Sequence, residues 1–120
     1  MPSESRTRLH VYGIRNCDSC RRALRWLQSN DADHEFHDLR EGGPTRDLLD
    51  NWLASPHGLS LLNRRSTTWR QLPDAHKQLA DRDPVTLLVQ HPTLIKRPVI
   101  TDGENVLAVG FAPADLEAFL

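Results

Sequence analysis

The sequence predicts an α/β fold: a mixed sheet flanked by helices, with an inserted helical layer between a βαβ unit and a C-terminal hairpin. Three observations carry this. The segments "LHVYGI" and "HEFHDLR" bracket a helical pattern, residues 66–92 break into short helical pieces at Pro73, Pro84 and Pro92, and "VI" and "VLAVGF" flank an Asp-Gly turn.

"LHVYGI", rich in β-branched and aromatic residues, reads as a short buried strand ending at Gly13. Ala23, Leu24 and Leu27 then share one helical face with Trp26 at its margin, and "SND" supplies the stop. Asn16, Asp18 and Ser19 are the candidate caps of this helix. "HEFHDLR" alternates loosely and runs into the turn "EGGP", which suits a second strand. Thr45 caps a helix starting at Arg46, whose Leu48, Leu49, Trp52 and Leu53 repeat at helical spacing until Pro56 and Gly58. "LSLLNRR" adds a short helical turn, and "TWRQL", "DAHKQLADRD" and "PVTLLVQHP" follow as helical pieces. "APADLEAFL" closes as a helix after the hairpin. This order is that of a thioredoxin-like domain. Residues 9–120 are expected to form one such domain, after a flexible start over residues 1–8.

The 15 basic and 16 acidic side chains nearly cancel, so charge does not drive attachment to nucleic acid or to an anionic membrane. No segment approaches the roughly 20 apolar residues that span a bilayer, and the start lacks a signal-peptide core. A cytoplasmic location is the expectation. In that reducing compartment a cysteine pair is better suited to catalysis, redox sensing or metal binding than to a structural disulfide.

The pair is Cys17 and Cys20, in "YGIRNCDSCRRA". A cysteine just before a helix faces unpaired N–H groups and the positive end of the helix dipole, both of which favour the thiolate. Arg21 and Arg22 add positive charge and Asp18 opposes it. Cys20, one turn on, is placed to close a disulfide with Cys17 or to attack a mixed disulfide formed there. A zinc reading uses "CDSC" with His34 and His37, but the histidines are two residues apart instead of three to five and point to opposite faces of a strand. No metal site is therefore expected. The remaining alternative is that both cysteines pack as small buried apolar residues.

Arginines gather at Arg21 and Arg22, at Arg64 and Arg65 in "LLNRRSTTWR", and at Arg97 in "LIKRPVI". Guanidinium forks suit an oxyanion or a carboxylate-bearing thiol substrate. Arg97 stands out because Pro98 follows it at a strand start, where a thioredoxin-like sheet sets a proline, often cis, beside the active cysteine. Trp26 and Trp52 read as core, and Trp69 as core or pocket wall. His10, His57, His76 and His91 show no partner pattern.

With "YGIRNCDSCRRALRWL", "LLNRRSTTWRQL" and "HPTLIKRPVI" in order, the chain resembles the ArsC-like branch of the thioredoxin fold from about residue 9 to 120. That branch holds glutathione- or glutaredoxin-linked arsenate reductases, Spx regulators and YffB-type reductases, and the flanks look most like the YffB group. The resemblance implies that Cys17 is the nucleophile, that Arg97 binds an oxyanion beside it, and that Cys20 joins them as a catalytic candidate. Asn16, Arg21, Arg64, Arg65 and Pro98 are then the candidate substrate-binding residues. Arsenate reductases carry an arginine where this chain has Asn63, and another near the final strand, where "AVGF" has none, which argues against arsenate as substrate. The expectation is a monomeric, glutathione-dependent thiol reductase with no bound cofactor. Glutathione is its co-substrate, and glutathione or a glutaredoxin-type protein is its thiol donor. The alternative is an Spx-like switch that binds RNA polymerase through a Cys17–Cys20 disulfide.

Overall fold

Four strands, Leu9–Gly13 (β1), His34–Asp38 (β2), Val99–Thr101 (β3) and Val106–Val109 (β4), form one sheet in the order β2-β1-β3-β4 in a computed structural model of the chain. The structure describes residues 8–119. The expected flexible start therefore lies outside the described residues, except Arg8, which pairs with Asp33 at 3.7 Å and with Glu35 at 3.5 Å. β2 runs parallel to β1, whereas β3 runs antiparallel to β1 and to β4, so the sheet is mixed as expected. Among the described residues no helix is long and apolar enough to cross a membrane.

The chain divides into two compact units, residues 8–38 with 97–119, and Leu39–Lys96. The first contains the sheet. β1 alternates: Leu9, Val11 and Gly13 are buried, while His10 and Tyr12 are half-buried on the other face. The helix Asp18–Ser29 (α1) buries Cys20, Ala23 and Leu27, spaced three and four residues apart along one stripe. It ends where Asn30 donates its side-chain amide to the Trp26 carbonyl at 2.8 Å and Asp31 takes a positive φ of 52°. The short helix Pro113–Leu116, here α7 because five helices of the second unit precede it, starts on proline and continues as a 3-10 turn over Glu117–Phe119. Leu9, Val11, Ala23, Leu27, Ile100, Leu107, Ala108 and Leu116 form the common core of strands, α1 and α7. Burying each of these leucine or valine side chains contributes about 1.5–3 kcal/mol. The expected Asp-Gly turn is made by Asp102, whose carboxylate accepts the Glu104 and Asn105 N–H groups at 2.9 and 2.7 Å.

The second unit is helical: Arg46–Ala54 (α2), Gly58–Leu61 (α3), Thr67–Gln71 (α4), Asp74–Arg82 (α5) and Pro84–Gln90 (α6), then a 3-10 turn over Pro92–Leu94. Side-chain caps start three of them. Thr45 accepts from Leu48, Ser66 from Trp69 and Asp83 from Thr86, at 3.1, 3.1 and 3.2 Å. Trp52 is 1 % exposed, as its helical spacing predicts, and Leu49, Leu61, Leu87 and Leu88 of the same unit are also buried. An isolated bridge ties Leu62, just after α3, to Ile95 at the end of this unit.

Candidate active site

β1 leads into the site through Gly13 and Ile14, a turn at Arg15 and Asn16 follows, and Cys17 stands at the N-cap of α1 with extended backbone angles. The capping position is Cys17 itself, not Asn16, Asp18 or Ser19. Its carbonyl accepts the first helical hydrogen bond, from Arg21 at 2.9 Å, and its own N–H donates to the Ile14 carbonyl at 3.2 Å. No side-chain hydrogen bond caps the helix at Cys17, so its sulfur is not committed to a capping role there.

Two neighbours act on the Cys17 sulfur. Burial pushes its thiol up, but Cys20 and the Arg97 guanidinium beside it favour the thiolate and together hold it below its ordinary value of 9.0. Cys20 moves the opposite way. It is fully buried, and burial first, then the neighbouring Cys17 sulfur, push its thiol up to about 11, although the Ile14 amide and Arg97 pull downward. The pair is therefore asymmetric: half-exposed Cys17 gives up its proton more readily than buried Cys20.

Arg97 and Pro98 reach this place from the far end of the sequence. The Arg97–Pro98 peptide is cis, Pro98 is buried, and its carbonyl accepts the Gly110 N–H at 2.8 Å. Gly110 has φ 83°, a conformation that favours glycine, so the end of β4 fixes the strand that carries Arg97. The charge bearing most on Cys17 is Arg97's. Arg22, by contrast, pairs with Asp18 at 3.9 Å and lies over the Phe111 ring at 5.6 Å, and Arg21 and Asn16 are exposed beside the loop. Arg64 and Arg65 belong to the helical unit. Arg64 lies over the half-buried Trp69 ring at 4.9 Å and within 3.9 Å of Asp81, while the Arg65 amide is held by the Asn63 side chain at 3.0 Å.

Two positions had no sign in the cysteine motif. A Cβ at Gly13 would overlap the Cys20 sulfur, so glycine at the end of β1 is what admits the buried thiol. His10 has a partner after all: its Nδ1 lies 2.9 Å from Nε2 of His37. His34 turns away from both, with Nδ1 on the Ala32 carbonyl at 2.8 Å, consistent with the expectation that His34 and His37 face opposite ways.

Comparisons with known proteins identify relatives of the chain. An uncharacterised protein of Haemophilus influenzae is 38 % identical over 109 residues, which cover 90 % of this chain and 95 % of that one. The solved structure of a YFFB protein superposes with a TM-score of 0.85 at 37 % identity, covering 93 % of this chain and 98 % of that one. The global transcriptional regulator Spx 2 of Bacillus anthracis is 28 % identical over 112 residues, covering 92 % of this chain and 85 % of the regulator. The profile of the ArsC family spans residues 12–119, from the strand before Cys17 through Arg97 to the final turn, and the chain belongs to that family.

Proposed function

We propose that the protein is a thiol-dependent reductase whose Cys17 thiolate attacks the sulfur of a glutathione adduct or disulfide. The observation that carries this is the placement of half-exposed Cys17 at the N-cap of α1, with Arg97 beside it lowering its pKa. Attack on the glutathione sulfur of an adduct forms a Cys17–glutathione disulfide and expels the substrate as a thiolate, which takes a proton from solvent; attack on another disulfide joins Cys17 to one of its sulfurs and expels the other in the same way. A second glutathione thiolate then attacks the glutathione sulfur of the Cys17–glutathione disulfide, leaving as oxidised glutathione and returning Cys17 as thiolate. Arg97 faces the sulfur that carries negative charge before the first step and after the last, which favours Cys17 as leaving group.

The thiol donor is argued from Cys20. Once Cys17 is in a mixed disulfide its charge no longer acts on Cys20, but burial, the largest cause of the upward shift, remains. Burial still holds that thiol above its ordinary value, which makes it a weak attacker near neutrality and favours external glutathione as the resolving thiol. We place this chemistry in the cytoplasm, with the chain acting as a monomer. Arsenate is set aside, since Asn63 spends its side chain on the Arg65 amide.

A second reading is favoured by the similarity to Spx 2, with Cys17 and Cys20 acting on each other one helical turn apart: oxidation to a Cys17–Cys20 disulfide that alters binding to a transcription partner. One experiment separates the two. Incubation with oxidised glutathione, followed by intact mass, is expected to give a single glutathione adduct on wild type and Cys20→Ser and none on Cys17→Ser, with release by reduced glutathione. Rapid loss of the adduct from wild type alone, leaving an internal disulfide, would transfer support to the switch. No adduct on wild type would sink the reductase.

A further inference from the structure

The sheet face opposite the core carries a second set of converging groups. β1 and β2 pair in a register that sets His10 against Glu35 and Tyr12 against His37. Strand alternation sends Leu9, Val11 and Phe36 to the core and these four to the other face. On that face His10 Nδ1 lies 2.9 Å from His37 Nε2, and His37 Nε2 lies 3.7 Å from Glu35 Oε2. One nitrogen from each histidine and one carboxylate oxygen of Glu35 all fall within 4.8 Å of one another.

We propose that His10, His37 and Glu35 form a binding site for a late first-row divalent metal ion, with zinc as the probe. Donor atoms about 2.0–2.2 Å from one zinc ion stand about 3 Å apart, so the two imidazole nitrogens already have the required separation and Glu35 needs only a small rotation. Two imidazoles and one carboxylate suit zinc, copper, nickel or ferrous iron, whereas magnesium and calcium prefer sets made of oxygen alone. The proton shared by the facing ring nitrogens moves to the far nitrogen of its own ring, and the ion takes its place between them.

The surroundings support the ligands. Arg8 approaches Oε1 of Glu35 at 3.5 Å and so leaves Oε2 turned to His37, the kind of outer partner that orients a metal-binding carboxylate. The His37 ring is stacked between Tyr12 at 4.6 Å and His10 at 5.2 Å, which limits its rotation. Side-chain exposure of 32 % at His37 and 46 % at Glu35 leaves a path from solvent. Three protein ligands leave at least one position for water. Bound there, the ion would clip β1, the strand that leads to Cys17, to β2.

The test is calorimetric titration of zinc chloride into the full, untagged chain carrying Cys17→Ser and Cys20→Ser, so that thiols cannot contribute. One ion per chain is expected, with His10→Ala and His37→Ala each weakening binding by about tenfold or more and Glu35→Gln by less. In the same double-serine protein, imidazole NMR signals of His10 and His37 should shift with zinc and not with magnesium, while those of His57, His76 and His91 stay in place. This arm needs no further substitution, so a histidine variant that fails to fold does not decide the outcome. Absence of saturable binding at millimolar zinc, or an affinity and imidazole spectrum unchanged at His10 and His37, would overturn the proposal.

Discussion

The two units of this chain are built on different physics. The sheet unit is assembled from segments far apart in sequence, residues 8–38 and 97–119, and its chemistry sits where their ends meet: Cys17 at the start of α1, Arg97 before β3. The helical unit is one continuous stretch held by local caps at Thr45, Ser66 and Asp83, and its arginine Arg64 is engaged with Trp69 and Asp81. Non-local assembly is what brings a guanidinium to the sulfur: Arg22, in Cys17's own segment, is engaged with Asp18 and Phe111, and the charge acting on Cys17 is that of Arg97. Substitutions in the sheet unit should therefore change thiol reactivity, and substitutions at the caps should change stability alone.

The largest effect is expected from Arg97→Ala, which removes a positive charge from beside the Cys17 sulfur. The thiol then titrates at higher pH and the thiolate is scarcer near neutrality. Because a more basic thiolate is intrinsically the better nucleophile, with a Brønsted slope of about 0.4–0.5, the rate falls less than the thiolate fraction does. Iodoacetamide alkylation of Cys17 should slow by about tenfold at neutral pH and overtake wild type at high pH. Arg97→Lys, which keeps charge but not the fork, should fall between. An unchanged pH profile in Arg97→Ala would break the contrast between the units.

Gly13→Ala comes next, since the new methyl would occupy the space of the Cys20 sulfur. Overpacking of this kind typically costs about 1–3 kcal/mol, and here it also displaces the thiol that acts on Cys17. Both the urea midpoint and the Cys17 alkylation rate should drop. A fall in midpoint with no change in rate would mean that Cys20 is dispensable to the thiolate.

Cys20 also imposes a pH dependence on stability. Its thiol holds its proton to about 11 in the folded chain against 9.0 ordinarily, so above pH 9 the unfolded chain releases that proton first. The unfolded state then binds fewer protons than the folded state, and stability falls with rising pH. The contribution is intact below pH 9 and is lost progressively as pH rises to about 11. Urea midpoints of wild type should decline across that window more steeply than those of Cys20→Ala.

Most of the fold is legible in the sequence because its signals are local. The alternation of "LHVYG", the Thr45 cap and the Asp-Gly turn each name their element without reference to anything distant. The site is legible where a motif is contiguous, as at Cys17 and Cys20. It is not legible where strands create it. His10 and His37 are 27 residues apart, and only parallel register brings them onto one face. Gly13 likewise looks like an ordinary strand end until the sulfur of Cys20 is seen beside it. Arg22 shows the same limit: it is near Cys17 in sequence, but its side chain runs along the helix to Asp18 and Phe111, and the charge acting on the thiol is that of Arg97.

The smallest effect tests the helical unit. Thr45 Oγ1 accepts the Leu48 N–H at 3.1 Å at an exposed helix start, and loss of such a cap costs about 1 kcal/mol. Thr45→Ala should lower the urea midpoint by that amount, while Thr45→Ser, which keeps the oxygen, should lower it by only a fraction of that. The Cys17 alkylation rate should be the same in all three proteins, because the cap acts only on the backbone of α2. A slower thiol in Thr45→Ala, restored in Thr45→Ser, would show that the helical unit reaches the chemistry of the sheet unit, and Arg64 and Arg65 would then be the residues to remove next.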